Sequence, residues 1–267
     1  MNWSAIRAVM MKDLTAVRRS KAVVLPMLIV PFLLLVVLPL FIGLIARSQE
    51  NIDIHRFLDN IPGDLAKPIL ALPVRQQLVV LVNGYLLAPL FLIVPLMVSA
   101  VLAADAFAGE KERKTLESLL HLPMSDREIF VAKLLTAYLP AVALSWIGFV
   151  CFAVVANSVA WPVMHRIFIP TMLWGVMIFW VAPAVAALGL GVMVRVSARA
   201  RTSQEANQLG GAVILPLIFL AVGQATGLLL VDIKISLGVG ALLWAIAVWL
   251  ASSGARRFTR DRLATRL

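Results

Sequence analysis

Several uninterrupted apolar runs of about 20 residues, parted by short polar segments, constrain this chain more than anything else in it. A helix needs about 20 apolar residues to cross the hydrocarbon core of a bilayer, and a soluble core has no use for several such runs. Composition points the same way. Of the 267 residues, 61% are hydrophobic and 14% charged, where an ordinary soluble domain has about 45–50% and about 25%. The expectation is an all-α polytopic membrane protein with six transmembrane helices at residues 22–46, 78–104, 134–156, 167–194, 209–231 and 235–253. Residues 1–267 read as one transmembrane domain.

Nine prolines (Pro26, Pro31, Pro39, Pro89, Pro95, Pro140, Pro170, Pro183 and Pro216) fall inside those runs. Membrane helices tolerate them where neighbours re-satisfy the freed backbone groups. Residues 1–21 precede the first run, and there Trp3, Ile6, Met10, Leu14 and Val17 recur at steps of three and four. Lys12 and Arg19 fall on the other side, with Arg7 and Arg18 near the rim, the pattern of an amphipathic helix lying in the membrane interface. The apolar run that follows is too long for the core of a cleaved signal peptide.

The basic residues orient the chain. Eighteen of the 24 Lys and Arg lie in residues 1–21, 105–133, 195–208 and the tail 254–267, and six lie in the alternate loops. That threefold bias places both termini and the 105–133 segment on the cytoplasmic side of the cytoplasmic membrane. The net charge of +10 is thus read as topology. Its arginines are dispersed among loops, so the expected contact is membrane lipid and not nucleic acid.

The spans carry no apparent chemistry. Every Asp, Glu, Lys and Arg falls in a loop or at a boundary, Asp105 coming nearest to a span interior, whereas an ion-coupled carrier keeps ionisable groups near the midplane. His55, His121 and His165 are scattered outside the spans, so neither a metal site nor an acid–base pair is expected. Cys151 is the single cysteine, and there is no G-x-x-x-x-G-K-[ST] phosphate loop. No catalytic residue and no cofactor are assigned to this chain. Energy for work across the membrane would have to come from a partner. The alternative, a secondary transporter or channel not coupled to ATP, would be favoured by inverted repeats, and none is evident.

The longest strongly polar insert is Gly109 to Lys133, GEKERKTLESLLHLPMSDREIFVAK. Leu116, Leu119 and Leu120 fall at i, i+3, i+4, giving a short helix from about Thr115 one apolar stripe. Pro123 ends that helix by pushing Leu122 out of the α region. Ser125-x-x-Glu128 then starts another as a capping box, with Met124 and Ile129 placed as a hydrophobic staple. A loop that only solvates the surface has no need of such a stripe. It fits either the lipid headgroup layer or a groove in another protein.

The same segment resembles the signature of ABC-2-type permeases, the membrane subunits of one class of ABC exporters. The matching positions are Glu110-x-Glu112, Thr115-Leu116-Glu117, Leu119-Leu120, Pro123, Ser125 and Lys133. The family usually has Gly where this chain has Lys114, a departure that would lengthen the preceding helix. The resemblance implies that residues 1–21 are the elbow helix and that residues 115–121, within a cytoplasmic coupling loop 105–133, form the coupling helix docking on a separate ATP-binding subunit. Leu116, Leu119 and Leu120 would be its groove anchors. Glu110, Glu112 and Glu117 would pair with basic groups or helix ends on that partner or on the elbow helix, and Ser125 and Glu128 would carry the movement into the third span. It also implies ATP and Mg on the partner, and a second permease copy, homodimeric or a paired homologue. Gly223-x-x-x-Gly227 is a candidate dimer contact. Asn83, Ser99, Tyr138, Ser145 and Gln224 are the polar residues that would either face a translocation path or bridge helices.

Overall fold

The computed structural model describes residues 2–48, 67, 69–112, 124–198, 200, 202–211, 215, 218 and 233–255. Among them every regular element is helical. Asn2, in an extended conformation, accepts from the Ala5 amide through its side chain and so caps α1, Trp3–Arg19. Five longer helices follow: α2 (Val23–Ser48), α3 (Val74–Gly109), α4 (Asp126–Met164), α5 (Met172–Ser197) and, after the short α6 (Ser203–Gly210), α7 (Ile233–Gly254). These five are long and apolar enough to cross a membrane. The expected span at 209–231 lies mostly outside the described residues.

Three of the long helices widen into a π turn, at Leu33–Val37, Val80–Leu86 and Met177–Val181. Each of these turns ends two or three residues before a proline, Pro39, Pro89 and Pro183 respectively. A proline lacks the N–H that would close the i→i−4 ladder, and a turn of i→i−5 bonds is one way to re-pair the carbonyls ahead of it. Leu38 and Ala182 make such bonds, donating to the carbonyls of Leu33 and Met177. The prolines read from the sequence are therefore places where the helices change pitch without breaking.

The core forms where α3, α4 and α5 pack together. Small residues let them approach. A Cβ on Gly189 of α5 would stand 2.6 Å from Leu96 Cδ1 and 3.2 Å from the Leu96 carbonyl oxygen on α3. Trp174, fully buried, lies against Phe91, Phe149 and Phe152, with ring centroids 5.5, 5.4 and 4.8 Å away. Its indole N–H donates to the carbonyl of Asn83, 3.0 Å away inside the π turn of α3.

Helix α4 runs further than its apolar run suggests. Its 39 residues make about 58 Å at 1.5 Å per residue, well beyond a hydrocarbon core of about 30 Å. The sequence places Asn157 in a loop, but it is inside the helix. Its Nδ2 donates to the carbonyls of Ala153 and Ile169 at 2.8 and 2.7 Å, and its Oδ1 accepts from the amides of Phe168 and Ile169 at 2.9 and 3.3 Å. One carboxamide thus pins the α4–α5 connection against the helix. His165, at φ 50°, ends α4, and α5 starts only after Thr171, whose side chain accepts from the Trp174 amide.

Candidate functional site: the roots of residues 113–123

Thr115, Leu116, Glu117, Leu119, Leu120 and Pro123 lie outside the described residues, as do Gln224, Gly223 and Gly227. The structure does describe both flanks of the 113–123 segment. On the downstream side the capping box forms as the spacing predicts. Ser125 Oγ accepts from the Glu128 amide at 3.4 Å, and Glu128 Oε2 accepts from the Ser125 amide at 2.9 Å and from its hydroxyl at 3.0 Å. Glu128 does more than its spacing foretold, because its Oε1 also accepts from the Asn2 amide at 2.6 Å. One carboxylate ties the start of α4 to the start of α1.

Between these polar ties runs an apolar seam. Met124 and Ile129 are both buried, and they join Ile6, Val9 and Ala132 in one cluster. The buried face of α1 is Ile6, Val9, Asp13 and Val17, at steps of three and four, while Trp3 is 63% exposed. The expected stripe is therefore rotated. Ile6 and Val17 face inward as read, Met10 and Leu14 sit on the flanks, and Trp3 points away. The cause is that α1 lies along the first turns of α4 as well as facing its surroundings.

On the upstream side α3 passes through a fourth π turn, Asp105–Gly109, and continues as Glu110–Glu112. Glu110 is 4% exposed and Lys133 of α4 is 1% exposed. The Lys133 ammonium donates to Glu110 Oε2 and, at 2.7 Å, to the carbonyl of Ala106 within the π turn. It also stands 5.6 Å from the centroid of the Phe107 ring. From α1, Lys12 Nζ reaches Glu110 Oε1 at 3.5 Å and Asp13 Oδ1 at 3.3 Å. Of the two alternatives for Glu110, the elbow side is the one seen: it pairs with α1 and α4 inside the fold. Glu112 is exposed. Sequence reasoning missed Asp13, Lys12 and the partner of Lys133. The one available signal was an aspartate interrupting the apolar steps of α1.

The polar span residues are dispersed. Asn83 and Ser145 are buried, and each donates to a carbonyl one turn back in its own helix, Val79 at 3.1 Å and Ala141 at 2.7 Å. Ser99 is buried and donates to the Leu96 carbonyl at 3.0 Å, and Tyr138 is half-buried. Among the described residues no hydrogen bond joins any two of these four. Nor do three His, Cys, Asp or Glu side chains come together there as metal ligands.

Comparison with known proteins gives one family. The family model described as "ABC-2 family transporter protein" matches residues 7–238. No curated protein matches the chain.

Proposed function

The chain belongs to the ABC-2 transporter family, whose members are multi-pass membrane subunits associating with an ABC ATP-binding subunit, and from that premise we propose that this chain is the permease of an exporter driven by ATP hydrolysis on that separate subunit. The ATP and Mg sit on the partner, and this chain binds no cofactor of its own. Residues 115–121 are the coupling helix, with Leu116, Leu119 and Leu120 in a groove of the ATP-binding subunit and Glu112 and Glu117 setting register at its rim. Both termini and this loop face the cytoplasm.

The observation that most supports this reading is the bracing of both flanks of residues 113–123. The Ser125–Glu128 capping box holds one root and the buried Glu110–Lys133 pair holds the other. A loop that only solvated a surface would need neither. A push on the segment enters two long helices, α3 and α4, at once. A second permease copy completes the pathway, with Gly223 and Gly227 at the contact. Asn83, Ser99, Tyr138, Ser145 and Gln224 contribute to the path.

The test is recovery of the ATP-binding subunit with affinity-tagged permease in detergent. Burial of a leucine side chain is worth roughly 1.5–3 kcal/mol, so Leu119→Ala or Leu120→Ala should weaken assembly by about tenfold or more. The double change should abolish stable recovery. Undiminished recovery with the double variant at matched expression would overturn the docking.

A further inference from the structure

Two lysines from different helices share the Glu110 carboxylate, and their surroundings could hardly differ more. Lys133 has a side chain only 1% exposed, with Glu110, the Ala106 carbonyl and the Phe107 ring around its ammonium. Withdrawing it would strand one buried charge on each side, so this arm stays closed. The Lys12 side chain is 57% exposed, with contacts of 3.5 and 3.3 Å, and its ammonium can swing into water. Contacts of that kind are weak and screened by salt.

Asp13 makes the exposed arm consequential. Its side chain is 9% exposed and turned into the fold, and its Oδ2 has no hydrogen-bond partner. Lys12 is therefore the counter-charge of two buried carboxylates, Asp13 on α1 and Glu110 at the root of residues 113–123. When Lys12 leaves, Asp13 is left uncompensated where water does not reach it. Shifting α1 outward is the direct way to hydrate it.

We propose that Lys12, Asp13, Glu110 and Lys133 form an ionic clamp with one permanent and one releasable arm. Opening of the Lys12 arm frees α1 from the root of the coupling segment. Lys12 and Glu110 are thus positioning residues, joining the N-terminal helix to α3 and α4. The use of this clamp in transport rests on the proposed function, but the clamp itself does not.

The experiment uses the full chain in lipid nanodiscs, with Cys151→Ala and nitroxide labels on cysteines at the exposed positions Ala16 and Arg127. Pulsed electron paramagnetic resonance reads the α1–α4 distance without nucleotide or any other subunit. The wild-type distribution should be narrow at about 0.01 M salt and should broaden to longer distances at about 1 M, where the Debye length has fallen from about 30 to about 3 Å. Lys12→Met should be broad at both salts, Lys12→Arg should keep the wild-type response, and Lys12→Met with Asp13→Asn should narrow the distribution again. Lys133→Glu should lose folded protein on size exclusion, and Lys133→Glu with Glu110→Lys should recover it. A Lys12→Met distribution the same as wild type, or one that Asp13→Asn fails to narrow, would overturn the clamp. Because no ATP-binding subunit is present, that outcome is separable from failure of the docking experiment.

Discussion

Lys133 and Glu110 show how much one pair can matter in a chain with few buried charges. Their attraction in a poorly solvated site offsets the desolvation of both, but neither residue tolerates loss of the other. Lys133→Met alone should cost about 3–5 kcal/mol, because it leaves Glu110 charged and buried. Changing Glu110 and Lys133 together to methionine should recover most of that loss, apolar side chains of similar size being neutral or better at such positions. Thermal unfolding in detergent, followed by monodispersity, distinguishes the two cases. The capping box is a gentler feature. Ser125→Ala with Glu128→Ala should cost about 1–2 kcal/mol through loss of the cap, and should also loosen the start of α1, because Glu128 accepts from the Asn2 amide. Recovery of the ATP-binding subunit should survive, while ATP-driven transport falls. Unchanged transport would mean that the box does not brace the loop's movement.

At the scale of the helix, close approach and pitch govern the bundle. Gly189 lets α5 lie against the Leu96 carbonyl of α3, and that carbonyl is backbone, which cannot step aside as a side chain can. Gly189→Val should therefore cost about 1–3 kcal/mol from overpacking, seen as a lower melting temperature and reduced yield. Trp174 is a second point of contact between the same helices. Trp174→Phe keeps the ring cluster but removes the donor to the Asn83 carbonyl, and it should cost about 1–3 kcal/mol for the buried acceptor left unpaired. If Trp174→Phe melts like the wild type, the π turn of α3 satisfies that carbonyl by itself.

For the whole molecule the decisive property is sidedness, which the dispersed basic residues argue and labelling can check. In a Cys151→Ala background, a cysteine at Ser48 or Asn60 should react with an impermeant reagent on intact cells. One at Ser118 or Ser203 should react only after permeabilisation. Labelling of Ser118 from outside would reverse the orientation and remove the coupling role of residues 115–121 with it. The replacement of Cys151 matters because it is exposed on α4.

What the sequence alone determined is what depends on neighbours along the chain. Run length sets which helices can cross a bilayer, the bias of Lys and Arg argues orientation, and a three-residue spacing was enough for the Ser125–Glu128 box. Even the prolines were legible, although that their helices widen into π turns was not. The tertiary structure decided the rest. Lys133 and Glu110 lie 23 residues apart, and nothing local in either distinguishes a buried partner from a solvated loop charge. Asp13 turns inward, and Trp3 outward, because α4 lies along one side of α1. Asn157 reads as the start of a polar loop, yet it sits within α4 because its carboxamide is fully used by the chain that returns past it. In each case a polar group is placed by what packs around it. Burial away from water is tolerated only where a partner is brought to it by another helix.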